Sequence, residues 1–237
     1  MNKEEFVKEC EKINVIITED MLTKLEEFYK FMIDYNNKIN LTRITDEKEV
    51  YLKHFYDSLT INKCINLNNY KTLCDVGTGA GFPGVVLKIV YPNLNVTLIE
   101  SSNKKCVYLN ELINKLKLDN IKVICTRSEE YGRKNREQFD IVVSRAVANL
   151  RVLSELCVPL VKKDGYFVAL KANIENEVEE SKDILNLLNC NIEKIENFEL
   201  PYEKSTRNIL LIKKLEKTNI KFPRSYKNIL EKNIKIF

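Results

Sequence analysis

The sequence predicts an α/β fold, a mostly parallel sheet with helices on both faces, set behind an N-terminal helical extension. Three observations lead there. From Tyr70 onward, short β-rich apolar runs alternate with amphipathic helical stretches. Before Tyr70 the pattern is helical, with no clear strand. The last two β-runs follow each other without a helix, as an antiparallel pair at a sheet edge would. A chain of 237 residues accommodates one sizeable core with an appendage.

The extension comes first. Thr18 is placed to cap a helix whose apolar face carries Leu22, Leu25, Phe28, Met32 and Tyr35, spaced by three and four. Asp46 and Glu49 form a D-x-x-E capping box. Val50, Leu52, Phe55, Tyr56 and Leu59 then continue the helical pattern. The first strand is "KTLCDV", with a helix after Pro83. "NVTLIE" leads into a helix over 104–118, and "IKVICT" follows. "FDIVVS" precedes a helix over 149–161, and "YFVALK" one over 174–188. "CNIEKIENFEL" and "RNILLIKKL" make the closing pair. The expected division is 1–68 helical extension, 69–215 Rossmann-like domain, and 216–237 a basic tail packed on or extending that domain.

Composition narrows the class. No apolar stretch approaches bilayer length, and "MNKEEFVKECEK" lacks the apolar core of a signal peptide, so a cytoplasmic protein is expected. The seven cysteines are scattered without a C-x-x-C pair, which predicts free thiols and no disulfide framework. His54 is the sole histidine, so no metal site is expected. Net charge is +4, yet residues 212–237 carry eight Lys/Arg against two Glu, a local +6 that leaves -2 for the rest. Such a tail reads as a nucleic-acid contact or as a solvated lysine-rich end.

Four of the six glycines fall within "CDVGTGAGFPG", residues 74–84, where a strand gives way to a helix. That place faces the ligand crevice of an open α/β sheet. Gly79, Gly81 and Gly84 spell G-x-G-x-x-G, with Glu100 at the end of the next strand, which fits a dinucleotide. Asp75 ahead of the loop would repel a pyrophosphate, and Pro83 removes a backbone donor that a phosphate wants. S-adenosylmethionine reverses both preferences: it has no phosphate, and its ammonium and sulfonium are cationic. Gly77 and Gly79 in the turn, Asp75 before it and Glu100 for the ribose hydroxyls therefore read as a methyltransferase motif.

With these residues stand "HFYDSL" at 54–59, "NLTRI" at 40–44, "RSEEY" at 127–131, "SRA" at 144–146 and "FPR" at 222–224. Together, and in this order, they resemble the RsmG (GidB) family, bacterial enzymes that methylate the 7-nitrogen of a guanosine in the 530 loop of 16S ribosomal RNA. The resemblance covers nearly the whole chain. It implies a class I S-adenosylmethionine-dependent methyltransferase fold with a seven-stranded sheet, and a small-ribosomal-subunit partner met by a monomer. It implies donor contacts at Gly77 and Phe82, with Ser128 and Glu129 near the adenine. Arg145 falls on the arginine of "SRA", as a positioning and donor-binding candidate. His54, Lys171, Arg207 and Arg224 become RNA-side candidates. Ser128 departs from the small apolar residue common there, "ALKAN" lacks the usual glycine after Lys171, and the segment after Arg224 lacks the usual Gly and Pro.

Each candidate has a second reading. Arg145 could meet the donor carboxylate, an RNA phosphate or a neighbouring acid. His54 could be a structural hydrogen-bonder, and Phe82 either a lid over the donor or core. Methyl transfer to guanine N7 uses a free lone pair and needs no general base. In-line positioning can supply ~7–11 kcal/mol of the barrier. No N-P-P-Y-like tetrad follows the fourth strand, which disfavours an exocyclic amine, and no cysteine there can attack a pyrimidine. The alternatives are a non-catalytic RNA- or ribosome-binding protein with a donor pocket and, more remotely, a dinucleotide oxidoreductase.

Overall fold

Asn2 and Thr18 start the first two helices by turning a side-chain oxygen onto a free backbone N–H. Asn2 accepts from Glu5 N and Glu5 answers at Asn2 N, closing a capping box at the head of α1 (Lys3–Lys12). Thr18 accepts from Met21 N ahead of α2 (Glu19–Asn36). In this computed structural model, which describes residues 1–145 and 148–231, the expected face of α2 is buried at Leu25, Phe28 and Met32. Each side chain of that size contributes ~1.5–3 kcal/mol when taken from water. Phe28 stacks on Phe82 at 5.1 Å between ring centroids, so the extension rests on the glycine turn.

Asp46 accepts from Glu49 N and begins α3 (Glu47–Val50). The helix then changes pitch. Tyr51–Tyr56 is a π-helix, followed by α4 (Asp57–Leu59) and a 3-10 turn at Thr60–Lys63. Spacings of three and four anticipate a helix here but not its widened turn, a local device frequent at functional sites. The π-helix buries Tyr51, Leu52, His54, Phe55 and Tyr56.

Seven strands form one sheet: β1 (Thr72–Val76), β2 (Asn95–Glu100), β3 (Ile121–Cys125), β4 (Phe139–Arg145), β5 (Val161–Lys171), β6 (Cys190–Glu199) and β7 (Thr206–Lys214). Their order is β3-β2-β1-β4-β5-β7-β6. The first five run parallel, while β7 lies antiparallel between β5 and β6. The connecting helices are α5 (Gly84–Val90), α6 (Asn103–Lys115), α7 (Ser128–Lys134), α8 (Leu150–Cys157) and α9 (Glu177–Leu187), with α10 (Tyr226–Leu230) near the end. Alternate residues of β1 feed opposite cores. Leu73 packs with α5, α6 and the extension, whereas Cys74 and Val76 pack with α8 and α9. Strand order reverses between β1 and β4, so their carboxyl ends diverge there into a crevice.

The expectation of free thiols changes, and the packing of the basic tail becomes specific. Cys106 and Cys125 form a disulfide with Cα atoms 5.9 Å apart. They are 19 residues apart in the chain, but the pairing of β2 with β3 sets Glu100 beside Cys125, next to the start of α6. The basic tail is also less free than its charge implies. Lys214 is buried, donating to Glu137 Oε1 and to the Val158 and Val161 carbonyls. Arg136 donates to the Thr218, Asn219 and Phe222 carbonyls, Arg133 to Pro223, and Arg151 to Ile229, Leu230 and Glu231. The segment is thereby strapped to the residues of α7 and α8 and their neighbours. Lys232 and Lys235 of that tail, and Ala146 of "SRA", lie outside the described residues.

Candidate active site

Among the described residues, the carboxyl edge of the sheet carries two cavities, one on each side of the reversal. The first, about 170 Å³, opens at the ends of β1, β2 and β3. Gly77, Glu100, Ser128 and Glu129 line it together, with Thr126 and Tyr226 among their neighbours. The second, about 240 Å³, is walled by the ends of β4 and β5, the start of β7 and the π-helix. Arg145, His54, Lys171 and Arg207 line it, along with Asp57 and Phe198.

The glycine turn builds the first cavity. Gly77, Gly79 and Gly81 have φ of 73°, 59° and 100°, which side-chain-bearing residues adopt only at a cost. Nothing lies within 4 Å of where a Cβ on Gly79 would stand, so the loop faces open space. Glu100 fixes the loop from β2: Oε2 accepts from Gly79 N at 3.1 Å and Oε1 from Ser102 N at 2.8 Å. A carboxylate has about four acceptor positions, so lone pairs remain for a ligand's hydroxyls.

Asp75 is placed differently from the sequence reading. Its side chain is wholly enclosed and does not line the cavity; Oδ2 accepts from Gly84 N at 2.8 Å, tying β1 to the head of α5. Burial pushes its carboxyl up to about 6, against the hydrogen bond from Gly84. Gly84 is required by the same contact, since a Cβ there would lie 2.7 Å from Asp75 Oδ2 and 2.4 Å from Leu98 Cδ2.

Phe82 lines neither cavity. It is buried, stacked on His54 at 4.4 Å and on Phe28, with the Arg145 guanidinium over its ring at 5.1 Å. His54 Nε2 lies 3.0 Å from Thr42 Oγ1, and Nδ1 lies 3.3 Å from Arg145 Nη2. Nδ1 also lies 3.2 Å from the Lys53 carbonyl, which only accepts, so its two neighbours make opposite demands on it. Burial, then the Arg145 charge, pushes the imidazole down to about 3, so the ring is neutral near pH 7.

Arg145 meets an acid of its own chain. Its Nη1 donates to Asp57 Oδ2 at 3.3 Å and to the Lys53 carbonyl at 3.1 Å. Burial lowers the pKa of the guanidinium, and Asp57 and Asp75 raise it. Arg207 Nε donates to the other oxygen, Asp57 Oδ1, at 3.1 Å. Lys171 Nζ is held by Glu177 at 2.7 Å and by the Ala148 carbonyl at 2.6 Å. Arg224 lines neither cavity. Its guanidinium grips both oxygens of the buried Glu155, and its backbone N donates to the same carboxylate. Asp57 and Tyr226 are the site residues the sequence reading misses. Asp57 lies within the quoted "HFYDSL", while Tyr226 carries no sequence signal.

A family profile described as GidB, rRNA small subunit methyltransferase G, matches residues 21–220. Proteins named ribosomal RNA small subunit methyltransferase G are similar along almost the whole chain. That of Bacillus licheniformis is 48% identical over 227 residues, 94% of this chain and 95% of its own length. That of Lactobacillus helveticus is 47% identical over 229 residues with the same shares. Among solved structures the likeness is one of fold. Cofactor-bound Rv0187 from MTB aligns with a TM-score of 0.58 at 13% identity, over 80% of this chain and 90% of that one. A predicted O-methyltransferase from Agrobacterium tumefaciens aligns with a TM-score of 0.50 at 17% identity, over 63% and 76%.

Proposed function

This chain belongs to the GidB family of small-subunit ribosomal RNA methyltransferases, S-adenosylmethionine-dependent enzymes of the class I fold, and we propose that it methylates the 7-nitrogen of a guanosine in the 530 loop of 16S RNA. One observation carries the reading. Among the described residues, two cavities of different chemistry open on one sheet edge, and His54 and Arg145 in the wall of the second pack on Phe82, next to the glycine turn.

The first cavity fits the methyl donor. Left-handed glycines face open space and a carboxylate closes the end of β2, which suits a phosphate-free ligand with ribose hydroxyls. Gly77, Glu100, Ser128 and Glu129 would hold it, with Glu100 fixing Gly79 of the loop and Asp75 tying β1 to the head of α5 from behind. When bound, S-adenosylmethionine supplies an electrophilic methyl group on a sulfonium.

The second cavity suits a base turned out of its RNA. Ile44, Leu170, Phe198 and Ile209 offer apolar surface for its faces, and Lys53, Arg145, Lys171 and Arg207 a cationic frame for its backbone. N7 has an in-plane lone pair at neutral pH, so this chain's task is alignment and no proton need leave first. Neutral His54 places no like charge beside a ring that becomes cationic. Arg224, spent on Glu155, is better read as a structural anchor than as an RNA contact.

The test is transfer of labelled methyl from S-adenosylmethionine to small subunits purified from cells lacking this protein, followed by nuclease digestion and mass spectrometry. 7-Methylguanosine at one 16S site is the expected product. Label in another base, or in none, would end this reading.

A further inference from the structure

Methylation at N7 restricts how the base can be recognised. The commonest side-chain grip on guanine is an arginine spanning O6 and N7 together. A base whose N7 must stay open to the methyl group cannot be held that way. The Watson–Crick edge remains, and it presents one acceptor, O6, beside two donors, N1–H and the 2-amino group. Two adjacent donors call for a group that only accepts, and an ionised carboxylate does so at both oxygens.

Among the described residues lining the second cavity, Asp57 is the only acid. Its place is set by two guanidiniums from different strands, Arg145 of β4 on Oδ2 and Arg207 of β7 on Oδ1. Each oxygen keeps acceptor capacity beyond that one bond. Arg207, 3.1 Å from the carboxylate, also brings a donor of the kind O6 requires. The geometry points to Asp57 as the specificity-determining residue: its carboxylate accepts from N1–H and the 2-amino group of the target guanine, leaving N7 free on the far side of the base. This assignment rests on the N7 reading above. Adenine is rejected by the same device, because its N1 lone pair would face the carboxylate. The negative charge also opposes the positive charge that develops on the ring, in a cavity otherwise framed by cations.

The test uses small subunits reconstituted around a ligated 16S RNA. At the accepting guanosine, mapped first with natural RNA, the base is guanine, 1-methylguanine, adenine or 7-deazaguanine. Wild-type enzyme should methylate the 1-methylguanine subunits at least ~10-fold more slowly than guanine. A smaller drop overturns the role of Asp57. The 7-deazaguanine subunits should accept no methyl group yet bind within about threefold of the natural Kd. Methyl transfer to them would overturn the N7 reading instead, a result the 1-methylguanine arm does not mimic. Asp57→Asn, whose amide both donates and accepts, should lower the guanine-to-adenine ratio of kcat/KM by about 10- to 100-fold. An unchanged ratio would reduce Asp57 to an anchor for two arginines. Should that variant fail to bind S-adenosylmethionine or to fold, the base-analogue arm with wild-type enzyme decides alone.

Discussion

Phe82 and His54 stack with ring centroids 4.4 Å apart and planes inclined by 22°, joining the glycine turn to the π-helix. Phe28 covers Phe82 as well, so one ring ties the extension to His54 in the wall of the second cavity. Phe82→Ala is expected to cost ~3–5 kcal/mol in urea unfolding. Phe82→Leu keeps an apolar body and gives up ring contacts worth ~0.5–1.5 kcal/mol each. Both should weaken S-adenosylmethionine binding in calorimetry, the alanine variant more. Unchanged donor affinity in Phe82→Ala would separate the ring from the loop's geometry.

His54 and Asp75 give opposite pH dependences. His54 titrates near 3 when folded and near 6.5 when unfolded. Between those values the unfolded chain holds the extra proton, so stability from this group falls as pH drops. Asp75, pushed up to about 6 from an ordinary 3.8, keeps a proton that the unfolded chain loses. Its contribution therefore falls as pH rises from about 4 to 6. Replacing His54 leaves the Asp75 slope unopposed. The gap in unfolding free energy between wild type and His54→Gln should widen from about pH 4 to 6.5, by up to ~1.4 kcal/mol per unit. A constant gap would mean that His54 titrates alike in both states.

The glycines of the turn should respond unequally to alanine. Gly79→Ala meets no atom and costs only its left-handed backbone, ~1–2 kcal/mol. Gly84→Ala would drive a methyl group into Leu98 and the Asp75 carboxylate, so it should lose more. Thermal unfolding of the two variants gives the order, and a larger loss at Gly79 would contradict it.

Arg224 and Glu155 behave as one unit. Arg224→Ala strands a buried carboxylate, which typically costs 3–5 kcal/mol. Adding Glu155→Gln should recover much of that loss. The salt dependence of RNA binding should stay as in wild type in the double variant, since neither residue lines a cavity. A flatter salt slope would return Arg224 to the RNA side.

The sheet was legible because its central strands are buried on both faces, as in "FDIVVS" and "YFVALK", and such runs read as strands without further context. The glycine turn was legible for a related reason, since a sequence with six glycines has little other use for four of them together. Direction was harder to read than position. Asp75 looked like a ligand for a cation, and only the fold turns it inward to Gly84. The second cavity was opaque as a unit: His54, Asp57, Arg145, Phe198 and Arg207 come from four regions of the chain, and pairing of β4, β5 and β7 assembles them. The same holds for Cys106 with Cys125 and for Arg224 with Glu155, whose contacts depend on elements docking across the sheet.

Tyr226 stands in the wall of the first cavity, with the Arg127 guanidinium 5.4 Å from its ring centroid. During synthesis, everything through β5 emerges more than fifty residues before Tyr226 does. At ~5–20 residues per second that is an interval of several seconds. In it the parallel sheet can assemble while the cavity still lacks one side. A nascent chain therefore has the scaffold of the enzyme before it has the side of this cavity that Tyr226 supplies.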